Sequence, residues 1–69
     1  MKFTYDKEVD AAYIYFIHPL KAGQARNTVT MNDSINLDFD SKGKLLGIEI
    51  LAASKVLGKK VLVDAKQHL

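Results

Sequence analysis

Asp38, Asp40, Gly43 and Glu49 stand at positions 1, 3, 6 and 12 of the EF-hand calcium loop. The chemistry would be hard oxygen ligands, a glycine for the sharp bend and a distal carboxylate. Lys42, however, puts an ammonium group where an oxygen ligand belongs, and the flanking residues alternate as strands rather than helices. These residues therefore read as one solvated hairpin, with Asp38 and Asp40 on its polar side and Gly43 in its turn. A second acidic cluster is Asp6, Glu8 and Asp10. Paired carboxylates run acid/base chemistry when a cleft raises one pKa. Here Lys7 lies among them, and the chain is too short to build such a cleft around them. They read as a turn that solubilises a hairpin, with Asp6 accepting backbone N–H bonds. For nucleophilic catalysis the bases would be His18 and His68, and the hydroxyls Ser34, Ser41 and Ser54. No Gly-x-Ser-x-Gly elbow is present, and Gly23, Gly43, Gly47 and Gly58 are isolated, so there is no phosphate-binding loop either. With no thiolate in the chain, a zinc site would have only the two histidines as nitrogen ligands. The expectation is a non-enzymatic protein with no catalytic residue, no metal site and no cofactor.

The aromatic segment is more informative. Strand side chains alternate, so Ile14 and Phe16 on a core face would turn Tyr13, Tyr15 and Ile17 outward. Such a row is more apolar than a solvated surface needs. It fits an interface, because tyrosine is enriched there. It also fits a second small core covered by the C-terminal tail, or a base-stacking platform for nucleic acid aided by Arg26, Lys55, Lys59 and Lys60. The lysine-rich tail by itself reads as a solvated face.

The elements that must hold these residues follow from length and pattern. Sixty-nine residues make one domain, and a chain of this size buries only about 60% of the surface its unfolded form exposes. Small domains offset that shortfall with disulfides, a metal or self-association. Cysteine is absent, which excludes disulfides, fits a reducing compartment and leaves self-association as the open device. No apolar run is long enough for a signal peptide or a membrane span, so a cytoplasmic location is expected. The net charge of +2 is too weak to indicate a nucleic-acid partner by itself. It arises in residues 55–69, where Lys55, Lys59, Lys60 and Lys66 face only Asp64.

Phe3 and Tyr5 alternate with Lys2 and Thr4, the period of a half-buried strand. Asp6 to Asp10 is a turn, and Ala11 to Ile17 is a second strand by composition, ended by His18-Pro19. Thr28, Val29 and Thr30 mark a third strand within residues 26–31, and Asn32-Asp33-Ser34 is turn chemistry. Ile35, Leu37 and Phe39, then Leu46, Ile48 and Ile50, form a hairpin with one apolar face. From Leu51 the period becomes helical, and Gly58 is a natural stop. Lacking Ser, Thr, Asp or Asn just before Ala53, this helix is expected to begin uncapped. Val61, Leu62, Ala65 and Leu69 share a helical face, although Val61-Leu62-Val63 would also serve as a strand. The fold class is α+β: an antiparallel sheet of five short strands followed by a C-terminal helix. The helix covers Phe3, Ile14, Phe16, Ile35, Leu37, Ile48 and Ile50. Residues 1–57 form the domain, and residues 58–69 are an extension, helical or packed back on the sheet.

Three segments carry a family resemblance. They are the opening Tyr5-Asp6, Glu8, Asp10-Ala11 and Tyr13-Ile14; the run from Ile35 to Gly43; and Gly47-Ile48-Glu49-Ile50-Leu51 ending in Ala53-Ser54. Over roughly residues 1–57 the chain resembles the short prokaryotic proteins grouped as domain of unknown function 2283. Ala12 departs from the leucine, and Ala52 from the aspartate, that the resemblance leads one to expect. It implies a compact bacterial or archaeal protein with no established chemistry. Such proteins also look like ones encoded beside small toxins, which implies an antitoxin-like partner role. The reading is a protein-interaction module that forms a homodimer. An antitoxin-like partner of a small toxin and a weak nucleic-acid binder are the alternatives.

Overall fold

The computed structural model describes residues 1–17, 19, 21–64 and 66–67, with side chains described up to residue 63. Five strands run β1 (Lys2–Asp6), β2 (Ala11–Tyr15), β3 (Asn27–Met31), β4 (Ile35–Phe39) and β5 (Leu45–Leu51). Two short helices follow, α1 (Ala53–Val56) and α2 (Lys59–Asp64), and a two-residue strand β6 (Lys66–Gln67) ends the description. The expected α+β class is therefore found, with two helices in place of one. The strand order is β3-β4-β5-β2-β1-β6. The five main strands pair antiparallel, while β6 runs parallel to β1 through Thr4 opposite Lys66 and Tyr5 opposite Gln67.

The register sorts side chains into cross-strand rows. Phe3, Ile14, Ile48, Leu37 and Val29 form one apolar row, and Tyr5, Ala12, Ile50, Ile35 and Met31 form the next. On the opposite face Thr4, Tyr13, Glu49, Asn36 and Thr30 make one row, and Lys2, Tyr15, Gly47, Asp38 and Thr28 the other. This is the period-2 alternation of the sequence carried across five strands.

The helices cover only part of the apolar face. Ala12, Ile50 and Ala53 form the buried centre, with Phe3, Tyr5, Ile48, Leu57 and Leu62 packed on it. Ile35 and Leu37 stay half-buried, and Phe16 is 42% exposed, so the expected cover over these three is incomplete. The reason is size. A four-residue helix spans about 6 Å, whereas five strands at their usual spacing span roughly 20 Å.

β2 also ends earlier than its composition suggests. The pairing of β4 with β5 shifts between Asp38 and Phe39, leaving Leu46 as an extra residue, and Leu46 is fully buried. The amides of both Phe16 and Ile17 donate to the Leu46 carbonyl, at 2.9 and 3.4 Å. One acceptor serving two successive donors breaks the ladder, so Phe16 and Ile17 leave the strand. The β3–β4 and β4–β5 turns take the conformations their residues predict. Asn32 and Asp33 both take positive φ, and the Ser34 amide donates to the Met31 carbonyl at 3.2 Å. Gly43, at φ 81°, closes the second turn with its amide on the Asp40 carbonyl.

Candidate functional site

Among the described residues, two polar assemblies and the edge strand β3 stand out. The first assembly is centred on Asp10, which ends the β1–β2 turn at φ 54°. Its carboxylate accepts from the Tyr5 hydroxyl at 2.7 Å, from the Ser54 amide at 2.9 Å and from the Ser54 hydroxyl at 2.7 Å. Its carbonyl accepts the Ala53 amide at 2.9 Å. The helix start is thus capped from the opposite end of the chain. As expected, Ala52 supplies no side-chain cap; Asp10, remote in the sequence, accepts the amides at the helix start instead. The hydrogen bonds from Ser54 and Tyr5 hold the Asp10 carboxyl below the usual carboxylate range. The same bond to Asp10 raises the Tyr5 phenol. Asp6 accepts the Glu8 amide at 3.0 Å, as its turn position predicts. Asp6 and Asp10 thus serve separate local roles, a turn and a helix start, rather than converging on one reacting atom.

The second assembly lies on the polar face. The Tyr13 hydroxyl donates to one Asp38 oxygen at 2.6 Å, and the Thr28 hydroxyl donates to the other at 2.8 Å. Tyr13 reaches Asp38 by crossing Gly47, where any Cβ would collide with its ring and would stand 2.8 Å from the Ile14 carbonyl oxygen. Gly47 is therefore the residue that lets β2 bond to β4 across β5. Burial, followed by the Asp38 carboxylate, pushes the Tyr13 phenol well above its ordinary value. Tyr15 packs on Tyr13 with ring centroids 4.4 Å apart. Asn36 donates to Glu49 at 2.8 Å and its amide oxygen accepts from Thr30 at 2.7 Å. A shallow depression of about 240 Å³ lies along Thr4, Ala11, Tyr13, Tyr15 and Glu49. It falls short of the ~300 Å³ at which small-molecule pockets begin.

The calcium-loop residues are dispersed by this arrangement. Asp38 serves Tyr13 and Thr28, Glu49 serves Asn36, and Asp40 accepts the amides of Lys42 and Lys44, each at 2.9 Å. The Lys44 amide is the main cause of the lowered Asp40 pKa. Among the described residues no three His, Cys, Asp or Glu side chains gather as metal ligands. His18 and His68 lie outside the described residues, as do Ala65 and Leu69.

Of the interface residues named from the sequence, Tyr13 and Tyr15 share the polar face and are half-buried. Ile17 is 40% exposed and lies beyond the end of β2. Of the basic residues, Lys55 is on α1 and Lys59 and Lys60 open α2, all exposed. Arg26 is at the other end of the sheet: its amide meets the Phe39 carbonyl at 2.8 Å, beside the start of β5, whereas α1 follows the finish of β5. The seven residues of β5 separate these ends by roughly 20 Å. The four cations do not form one patch.

The open edge is β3, and sequence reasoning did not single it out. It pairs with β4 on one side, and all five of its residues are exposed. Val29 and Met31 are 49% and 47% exposed. The signal was available, since Asn27-Thr-Val-Thr-Met31 carries no charge and no proline.

The family model described as a protein of unknown function (DUF2283) matches residues 2–54, most of the chain. The chain belongs to this family. The DUF2283 match covers β1 to β5 and the first residues of α1, which takes in both polar assemblies and β3; α2 and β6 lie beyond it. No curated protein and no solved structure matches the chain. Among the described residues no helix is long and apolar enough to cross a membrane.

Proposed function

We propose that this DUF2283 protein is a non-enzymatic protein-interaction module that acts as a homodimer. The observation that carries the reading is the open edge strand β3, exposed along its whole length and bearing two half-exposed apolar side chains. An unprotected edge is a template for another strand. The half-buried Ile35, Leu37 and Phe39 beside it give a partner further apolar surface. The non-enzymatic part is supported by where the hydroxyls and carboxylates point. Ser54 donates to Asp10 and accompanies a helix cap, and Asp38 and Asp40 accept bonds that fix strands and a turn.

Sedimentation equilibrium from low to high micromolar protein tests the reading. The expected mass is twice that of one chain, held at raised salt because the contact is apolar and main-chain in nature. A single-chain mass throughout would overturn self-association. The same edge favours a second reading, an antitoxin-like module that takes a strand from a different small protein. In that case the chain alone stays monomeric.

A further inference from the structure

We infer that two copies pair β3 against β3, antiparallel, about a two-fold axis centred on Val29, so that two sheets join into one. The inference rests on the self-association reading and gives it a register. The two edges of the sheet are treated differently by the fold. The outer edge of β1 carries β6, while β3 faces no strand among the described residues. Edge strands are commonly protected by an inward charge, a lysine, a proline or a bulge. β3 has none: its five residues are uncharged and free of proline, and the bulge of this sheet lies between β4 and β5.

The register follows from symmetry. A two-fold normal to the sheet keeps the apolar rows of both copies on one face, and it must pass midway between the two copies of one β3 residue. Centred on Val29, it pairs the whole strand. Val29 meets its own copy, Thr28 meets Thr30 of the partner subunit, and Asn27 meets Met31 of the partner subunit. Centred on Thr30, it would reach Asn32 and Asp33, whose positive φ forbids extended pairing. Centred on Thr28, it would set Arg26, outside the strand, against Thr30. Only the Val29 centre uses all five strand residues. It also places no charge at the seam, and it adds the half-exposed Val29 and Met31 of both copies to one apolar surface continuous with Leu37 and Ile35.

The chain has no cysteine, so single-cysteine variants report unambiguously. Val29→Cys brings two thiols to positions directly opposite, within the Cα separation that a disulfide spans. Under mild oxidation it should form a covalent dimer at least ten times faster than Val9→Cys, a control in the β1–β2 turn that is the more exposed of the two, at 68% against 49%. An equal mixture of Asn27→Cys and Met31→Cys should form the mixed disulfide in preference to either self-pair. That arm stands even if the Val29 variant is perturbed. A parent chain that sediments as a dimer while neither arm exceeds the control overturns the β3 register and leaves self-association standing. A parent chain that sediments as a monomer overturns both.

Discussion

Replacing Gly47 with alanine sets two effects of opposite sign against each other. Glycine inside a strand is entropically unfavourable, so alanine would ordinarily stabilise by roughly 0.5–1 kcal/mol. Here the added Cβ would collide with the Tyr13 ring and stand 2.8 Å from the Ile14 carbonyl oxygen, a backbone atom that cannot swing aside. Overpacking of this kind costs about 1–3 kcal/mol. The displaced Tyr13 would also lose its 2.6 Å bond to Asp38. That bond is partly exposed, so its loss adds about 1 kcal/mol at most. The net expectation is a loss of about 1–2 kcal/mol, which in a domain of this size lowers the melting temperature by roughly 5–15 °C. Thermal unfolding followed by circular dichroism reads this directly. Repeating Gly47→Ala in a Tyr13→Ala background isolates the ring, since removing it should recover at least half of the loss. A melting temperature raised by Gly47→Ala in the parent chain would refute the close approach of Tyr13 to β5.

Ala52 stands just before α1 at φ 48°, where a Cβ is disfavoured, so Ala52→Gly should raise stability by about 1 kcal/mol in urea unfolding. Leu46 is fully buried at the bulge, and Leu46→Ala should lower stability by about 2–5 kcal/mol on the same assay. Asp10→Asn should lower the urea midpoint at pH 7, since the carboxylate that caps α1 becomes a neutral amide. The folded pKa of Asp10 lies below its ordinary 3.8, so its contribution is present above that value and fades as pH falls through the lower folded value. The midpoints of parent and variant should therefore converge in acid. A gap that widens in acid, or that persists undiminished below the lowered folded value, would contradict the cap.

The hairpin of residues 35–50 was legible because period-2 alternation is local, and the structure keeps it as the apolar and polar rows of β4 and β5. The fold class was legible for the same reason. β2 was read two residues too long, because Phe16 and Ile17 have strand composition while the event that ends the strand is the bulge at Leu46 on another strand. The cap on α1 is hidden by distance: Asp10 and Ser54 are 44 residues apart in the sequence. The missing cap at Ala52 was nonetheless a clue that one had to come from elsewhere. Gly47 is isolated in the sequence, yet a glycine inside a strand marks close approach of another group. Residues 59–64 of the tail form α2, while two residues of strand carry no periodicity, so β6 is invisible in the sequence. Exposure of β3 depends on α1 and α2 being too short to reach it, a fact of packing rather than of pattern.

Amide hydrogen exchange of β3, measured in dilute and in concentrated protein, tests the proposed edge most directly. Pairing between copies gives the outward amides of Asn27 to Met31 new acceptors. Their protection should rise with protein concentration, while that of β2 and β5, already paired on both sides, stays constant. Protection of β3 that is independent of concentration, in a sample whose mass doubles, would contradict pairing at this edge.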